Sequence, residues 1–202
     1  MTNKLAGLCG LLGAAWIVIG TLVGAALYPG YDHGAQFISE LGAIDAPFGR
    51  AFSLFGFLPA GILLCTFAVV AWAASPKSIL SALGFFGVFL FYLGYVGAGF
   101  FQCDAGCRPE SPSSSQMMHN LFGLLGYFFA PVTLGLLGLA ARKWTGARTL
   151  QILGYAGAVV ALVALALFSP SSDFVGAVQR GLEASMLIWV LAFSVRALSL
   201  EQ

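Results

Sequence analysis

The sequence predicts an all-α, polytopic membrane protein, folded as a bundle of six transmembrane helices. Of its 202 residues, 59% are hydrophobic and only 8% are charged. That is too little polar surface to cover a water-soluble domain of this size. The apolar residues also form six continuous stretches, each close to the roughly 20 residues that a helix needs to cross the hydrocarbon core.

The six stretches follow one another with polar segments between them. They are continuously apolar instead of alternating, and an open sheet edge has no partner in lipid, so strands are excluded. No linker or charge run divides the chain, and we expect a single six-helix transmembrane domain over residues 1–202. The predicted spans cover residues 5–27, 51–74, 79–101, 117–141, 150–168 and 177–198.

The first span is longer than the 7 to 15 apolar residues of a signal peptide, so we expect it to remain in the protein. Its glycines include a GxxxG pair, Gly20 and Gly24, preceded by three more at three-residue spacing. Small residues let helices approach closely in lipid. We expect these glycines to pack within the bundle, and a homo-oligomer seam is the alternative.

Prolines and connection lengths shape the remaining spans. Pro59 and Pro131 remove backbone donors inside the second and fourth spans, which predicts kinks and room for a cavity between those helices. Short connections make spans two and three, and spans four and five, antiparallel neighbours. The longest connection covers residues 28–50, and its stretch 35–43 is expected to form a short helix at the interface or folded back into the bundle mouth.

Basic residues predict that both termini are cytoplasmic in the cell membrane. Short loops rich in Lys and Arg stay inside the cell, and six of the nine basic residues fall on one side. The majority side carries Lys4, Lys77, Arg142, Lys143, Arg148 and Arg196, and the minority side carries Arg50, Arg108 and Arg180. The minority side is therefore the predicted outer face, and it also carries seven of the eight acidic residues and both histidines.

Cysteine positions agree with this orientation. Cys103 and Cys107 lie in one loop on the predicted outer side, where oxidising conditions favour a disulfide, and Gly106 permits a tight closure. Metal ligation by the two thiolates together with His119 is the alternative. Cys9 and Cys65 lie inside spans as small apolar residues.

Polar residues at the predicted outer face form the candidate site. Arg180 and Glu183 stand three residues apart on one face of the last span, which predicts an ion pair. His119 lies one turn inside the fourth span, after a polar run. Each has a purely structural alternative, since an ion pair ties helices together and a membrane histidine often only hydrogen-bonds at the interface.

Two kinds of chemistry fit these residue types. A divalent metal would be held by His33, His119 and Glu40 as a two-histidine, one-carboxylate site, although no HExxH motif is present. Acid–base catalysis would use a histidine and a carboxylate, with an arginine holding a phosphate or carboxylate of the substrate. A serine nucleophile is a weaker alternative because no nucleophile elbow surrounds it. The candidate catalytic residues are His119, Glu40, Glu183, Arg180, Asp104 and Ser39.

Several segments together resemble a bacterial and archaeal membrane family catalogued as domain of unknown function 998. The matching features are Tyr-Pro-Gly-Tyr-Asp-His at 28–33, Gln-Phe-Ile-Ser-Glu-Leu-Gly at 36–42, Asp104, His119, Gln179 with Arg180, and Trp189. The resemblance implies six spans and no established activity. The family in turn is similar in topology to eukaryotic six-helix proteins linked to lipid remodelling and distribution, which by analogy implies lipid handling.

These observations predict a lipid-directed hydrolase or acyl-transfer enzyme. The alternative is a non-catalytic binding or structural membrane protein, or a small transporter, although transporters usually carry polar groups near the bilayer midplane. Membrane lipids are the expected partners. A net charge of +1 without a basic patch argues against nucleic acid as a partner.

Overall fold

The computed structural model describes residues 1–200 and is helical throughout its regular structure. Six helices are long and apolar enough to cross a membrane, with mean hydropathies between 1.5 and 2.3. They are α1 (Thr2–Ala26), α2 (Gly49–Ala74), α3 (Ile79–Phe100), α4 (Ser114–Ala141), α5 (Arg148–Leu167) and α6 (Val175–Ser199). The predicted six-helix membrane protein is thereby confirmed, and most predicted boundaries lie within three residues of the observed ones.

The outer surface of the bundle is as apolar as its interior. Large side chains such as Phe128, Val159 and Ile19 are each more than 60% exposed on the helix faces. Water would make such a continuous apolar surface costly, whereas lipid tails match it. The chain is accordingly a multi-pass membrane protein.

The six helices form a ring. Each packs against its neighbour in sequence, and α1 packs against α6 to close the ring. Glycines allow the closest approaches: a Cβ on Gly154 of α5 would lie 2.7 Å from the backbone of Gly138 in α4. In α1, Gly13 packs against Leu64 of α2, as expected for contacts within the bundle, whereas a Cβ on Gly20 would meet nothing within 4 Å.

The two prolines lie in different local settings. In α2, a π-helical stretch at Phe52–Phe57 ends two residues before Pro59. Pro131 lies inside α4, which continues to Ala141. A proline cannot donate to the preceding turn, and a π-helical turn is one way in which a helix accommodates that loss.

The bundle has two unlike ends. We call the end with both termini and the two short connections the terminal end, and the other the loop end. Aromatic rings fill the terminal half of the interior, and Trp189 there donates its indole N–H to the carbonyl of Leu150, 3.1 Å away. The ring contacts join Phe67, Phe85, Trp144, Trp189 and Phe193.

The loop end is closed by residues 31–43, which we call the lid. Its centre is a 3-10 helix at Ile38–Gly42 whose residues are mostly buried, which confirms the expected short helix folded back into the bundle mouth. The lid sits close to α6, since a Cβ on Gly176 would collide with the backbone carbonyl of Gln36. No side chain larger than hydrogen fits at that crossing.

Cys103 and Cys107 are joined at the loop end, with Cα atoms 5.0 Å apart. Gly106 between them has a φ of +62°, in the left-handed region that glycine adopts without steric cost. The predicted disulfide is therefore present, and the carbonyl of Cys103 accepts a hydrogen bond from Ile44, 3.1 Å away. The closed turn thus fastens the second long connection to the first.

Candidate functional site

A cavity of about 230 Å³ lies inside the loop end of the bundle. Its walls come from α3, α4, α6, the π-helical part of α2, the lid and the loop that follows α5. Most of the lining is apolar or aromatic. The polar side chains that line it are Ser39, Tyr95, His119, Asn120, Tyr127, Gln179 and Glu183.

Glu183 of α6 is the acidic group of the cavity. Tyr127 of α4 donates its hydroxyl to one carboxylate oxygen at 2.6 Å, and Tyr95 of α3 donates to the other at 2.8 Å. Hydrogen bonds to a charged acceptor are stronger than neutral ones. The two tyrosines therefore hold the carboxylate in one position and link three helices of the ring.

A directed chain of hydrogen bonds runs from the lid to this carboxylate. The backbone N–H of Ile38 donates to the Gln179 amide oxygen at 2.7 Å, so the Gln179 amide nitrogen must face the other way. That nitrogen donates to the Tyr127 hydroxyl at 2.7 Å. Tyr127 in turn donates to Glu183, so the chain of donors runs from the backbone of Ile38 to the carboxylate.

His119 lines the cavity from α4, one turn below the start of that helix. Its Nδ1 lies 2.8 Å from the carbonyl of Phe101. A carbonyl only accepts, so Nδ1 carries the proton and Nε2 of the neutral ring is the basic nitrogen. This is the ring's one hydrogen bond to residues 1–200, and it leaves Nε2 available to a ligand.

Aromatic rings surround the polar groups. Phe168 stacks on Phe37 with ring centroids 5.9 Å apart and meets Tyr127 edge-on at 5.8 Å. On the other side, Phe91 lies 5.6 Å from Tyr127, and Phe57 lies 5.9 Å from Tyr95. Six rings therefore line a space that contains one carboxylate.

The mouth of the cavity reaches the lipid-facing surface along α4. Leu124 lines the cavity and is also 58% exposed on the outside of the bundle. Gly123 beside it leaves open space, since an added Cβ would meet nothing within 4 Å. The cavity therefore borders the exposed surface of α4 at Gly123 and Leu124.

Arginines hold the lid in place. Arg108 donates to the carbonyls of Pro170 at 2.9 Å and Ala35 at 3.2 Å, and to the Glu40 carboxylate at 3.0 Å. Because its own segment is the second long connection, this one side chain ties all three long connections together. Sequence reasoning used Arg108 only to count charges, since nothing local marks a residue that acts through distant carbonyls.

The predicted ion pair between Arg180 and Glu183 is not formed. Arg180 turns towards the lid, where it donates to the Gln36 carbonyl at 2.9 Å and to the Tyr31 hydroxyl at 2.7 Å. The guanidinium of Arg180 makes no hydrogen bond to Glu183, so its positive charge acts on that carboxylate only at a distance. The sequence places the two residues on one helix face, but the lid carbonyls and the two tyrosines give each a different partner.

Two other candidate residues also lie away from the cavity lining. Glu40 is 4% exposed and accepts hydrogen bonds from the Phe37 backbone at 2.9 Å and the Gln36 amide at 2.8 Å, besides its pair with Arg108. Asp104 binds Ser113, the residue that caps the start of α4. Its pKa is lowered because the hydroxyl and then the backbone N–H of Ser113 donate to its carboxylate.

The predicted metal set is not brought together. Within residues 1–200, no three His, Cys, Asp or Glu side chains come close enough to hold a metal ion. His33 is exposed with its ring against Tyr31, Glu40 faces Arg108, and His119 faces the Phe101 carbonyl. The two cysteines that were alternative ligands for a metal are joined to each other.

The structure thus gathers three of the predicted residues at one cavity: His119, Glu183 and Ser39. It adds Tyr95 and Tyr127, which sequence reasoning passed over as ordinary residues of spans, and Gln179, which was noted only as part of the family resemblance. A signal was present in the tyrosines, because a hydroxyl deep in a span needs a partner inside the bundle. Which partner it finds depends on how the helices pack.

Comparison with known proteins gives one match. The model of a protein family described as “Protein of unknown function (DUF998)” matches residues 11–196, which is nearly the whole chain. No match was found among curated proteins or among solved structures.

Proposed function

The chain belongs to the DUF998 family of proteins of unknown function, and from that premise we propose that it binds an amphiphilic membrane component. The polar head of the ligand would occupy the cavity at the loop end, and its apolar tail would remain in the lipid outside. This is a binding function and requires no reaction.

One observation carries the proposal: a polar-centred cavity opens onto the lipid-facing surface. Leu124 belongs to both the lining and the outer face, while Glu183 stands inside. A cavity of about 230 Å³ is smaller than the roughly 300 to 1,000 Å³ of sites that enclose whole drug-sized ligands. It therefore suits a head group whose tail lies outside.

The packed interior of the terminal half supports a binding function and argues against transport of a substrate through the bundle. Packed rings, including Phe85 and Trp189, fill the bundle there, so the cavity ends partway through the membrane. A transporter of the kind considered above would need polar groups and interrupted helices near the middle of the span.

We also propose that the cavity lies in the outer leaflet. The support is the majority of basic residues at the terminal end, six of nine, because loops with more Lys and Arg stay in the cytoplasm. A C-terminal fusion to a reporter that is active only in the cytoplasm tests this. A fusion that is well expressed but inactive would indicate the opposite orientation and contradict this proposal.

The proposed binding is tested with two glycines of α4. Leucine at Gly123 would fill the mouth of the cavity, whereas leucine at Gly135, which also meets open space and does not line the cavity, serves as the matched control. Native mass spectrometry of the protein extracted in mild detergent reports the lipid that remains bound. We expect wild type and Gly135→Leu to retain lipid and Gly123→Leu to lose it; equal retention in all three would refute the proposal.

A second function, hydrolysis or acyl transfer on the bound lipid, is supported by His119. Its basic Nε2 is left available at the cavity, and Ser39 lines the same space. In this function His119 would act as the base and Ser39 or a water as the nucleophile. Incubation with ester lipids and analysis of the products tests this function. A His119→Gln variant that folds and turns over lipid as fast as wild type would contradict the role of His119 as the base.

A further inference from the structure

The charge of the cavity identifies the chemical class of the head group. Both oxygens of Glu183 accept hydrogen bonds from tyrosine hydroxyls. The backbone of Ile38 orients the Gln179 amide, which donates to the Tyr127 hydroxyl, and Tyr127 donates to the carboxylate. A carboxylate accepts hydrogen bonds at both oxygens in this way.

This carboxylate has no paired cation in the part of the chain that the structure describes. Arg180, on the same helix, donates its hydrogen bonds to the Gln36 and Gly176 carbonyls and to the Tyr31 hydroxyl. Arg108 is engaged with Glu40 and with loop carbonyls. An ionisable side chain inside a span is costly and usually faces a partner or a cavity, which makes Glu183 a candidate for contact with a ligand.

The walls of the cavity suit a cation in a second, independent way. Aromatic faces attract cations through the negative potential above the ring, most strongly where water is excluded. The rings of Phe168, Tyr127 and Phe91 adjoin one another at centroid distances of 5.6 to 5.8 Å, whereas Phe37, which stacks on Phe168, already carries the Arg108 guanidinium 5.0 Å from its centroid. Tyr95 and Phe57 also line the cavity, from α3 and α2.

From the unpaired carboxylate and the surrounding rings we infer that the cavity binds an organic ammonium group. A protonated amine or a quaternary ammonium ion would lie against Glu183 with its carbon substituents among the rings. This inference rests on the proposed binding function and adds the ligand class to it. A phospholipid with an amine-bearing head group carries that cation together with the tails that the lateral mouth admits.

Head-group preference tests the inference. Wild-type protein is equilibrated with mixed micelles that contain phosphatidylcholine, phosphatidylethanolamine or phosphatidylglycerol of identical tails, and the retained lipid is counted by native mass spectrometry. We expect either ammonium lipid to be retained over phosphatidylglycerol by about tenfold or more, the order of a desolvated cation–π contact. The ratio of the first two lipids shows whether a quaternary or a primary ammonium fits better.

A soluble pair of probes separates the charge from the tails. Choline and its neutral carbon isostere 3,3-dimethylbutanol have the same shape, so only the charge differs. Choline should displace the retained lipid and the isostere should not. Choline binding without any retained lipid would support the ammonium site and assign it to a soluble amine instead of a lipid.

Two variants locate the effect. Glu183→Gln keeps the size of the side chain and removes the charge, and it should abolish the preference for ammonium lipids. Phe168→Leu keeps an apolar wall and removes a ring, and it should weaken the preference even if the first variant folds poorly. Wild type that retains phosphatidylglycerol equally well would overturn this inference and leave the proposed function standing. Loss of the difference between Gly123→Leu and Gly135→Leu would overturn the proposed function instead.

Discussion

Replacement of Glu40 by alanine should loosen the lid without dismantling the bundle. Glu40 is 4% exposed and accepts three hydrogen bonds, from the Phe37 backbone, the Gln36 amide and Arg108. Alanine would leave the buried Phe37 N–H without a partner, at a cost of about 1 to 3 kcal/mol. The Arg108 guanidinium is 36% exposed, so the lost ion pair is worth only about 1 kcal/mol more.

Together these losses lower the free energy of opening of the lid by about 2 to 4 kcal/mol. Each 1.4 kcal/mol is a factor of ten, so hydrogen exchange in the lid should accelerate roughly 30- to 700-fold. The reporters are the amides of Ile38, which donates to Gln179, and of Ala43, which donates to the Glu40 carbonyl. Amides in the middle of the long helices should change much less.

Two further variants show which contact carries the effect. Glu40→Gln keeps an oxygen for the Phe37 N–H and should cost about 1 kcal/mol, whereas Arg108→Ala removes the cation and leaves that N–H satisfied. If Glu40→Ala and Glu40→Gln accelerate exchange equally, the lost hydrogen bond from the Phe37 N–H is not the main cause of the faster exchange. Unchanged exchange in Glu40→Ala would refute the reasoning altogether.

Two other predictions concern the edges of the site. Gly176→Ala places a Cβ against the carbonyls of Gln36 and His33, and overpacking of this kind should destabilise the protein by about 1 to 3 kcal/mol in thermal unfolding in detergent; Gly181→Ala on the same helix meets open space and should be neutral or slightly stabilising. Because the pKa of Asp104 is lowered in the folded state by Ser113, its contribution to stability is present at neutral pH and disappears as the pH falls through that lowered pKa. Ser113→Ala should raise the Asp104 pKa and move this loss to higher pH, as ¹³C carboxyl NMR can follow, and an unmoved titration would contradict the assignment.

The sequence showed which residue types could form the site, but it did not show which residues would contact one another. His119 and Glu183 were marked because a charged or titratable side chain inside a span is costly and has to be compensated. Arg180 and Glu183 were wrongly paired because helical spacing is the only proximity that a sequence states. Glu40 and Asp104 were grouped with them, yet Glu40 is held by Gln36, the Phe37 backbone and Arg108, and Asp104 by Ser113, nine positions along the chain.

By itself the sequence determined the six helices, their antiparallel order and the gathering of polar residues at one end, because lipid requires continuous apolar helices and short loops allow only neighbouring ones to pair. It also favoured the Cys103–Cys107 link, since the two residues are local, but left metal ligation as an alternative that the structure decides against. Only the tertiary structure decided that Tyr95, Tyr127 and Gln179 converge on Glu183, that Arg108 ties three connections, and that Gly123 leaves the cavity open to lipid. These contacts join residues up to 88 positions apart, and their geometry follows from how the ring of helices closes, which no local pattern in the chain encodes.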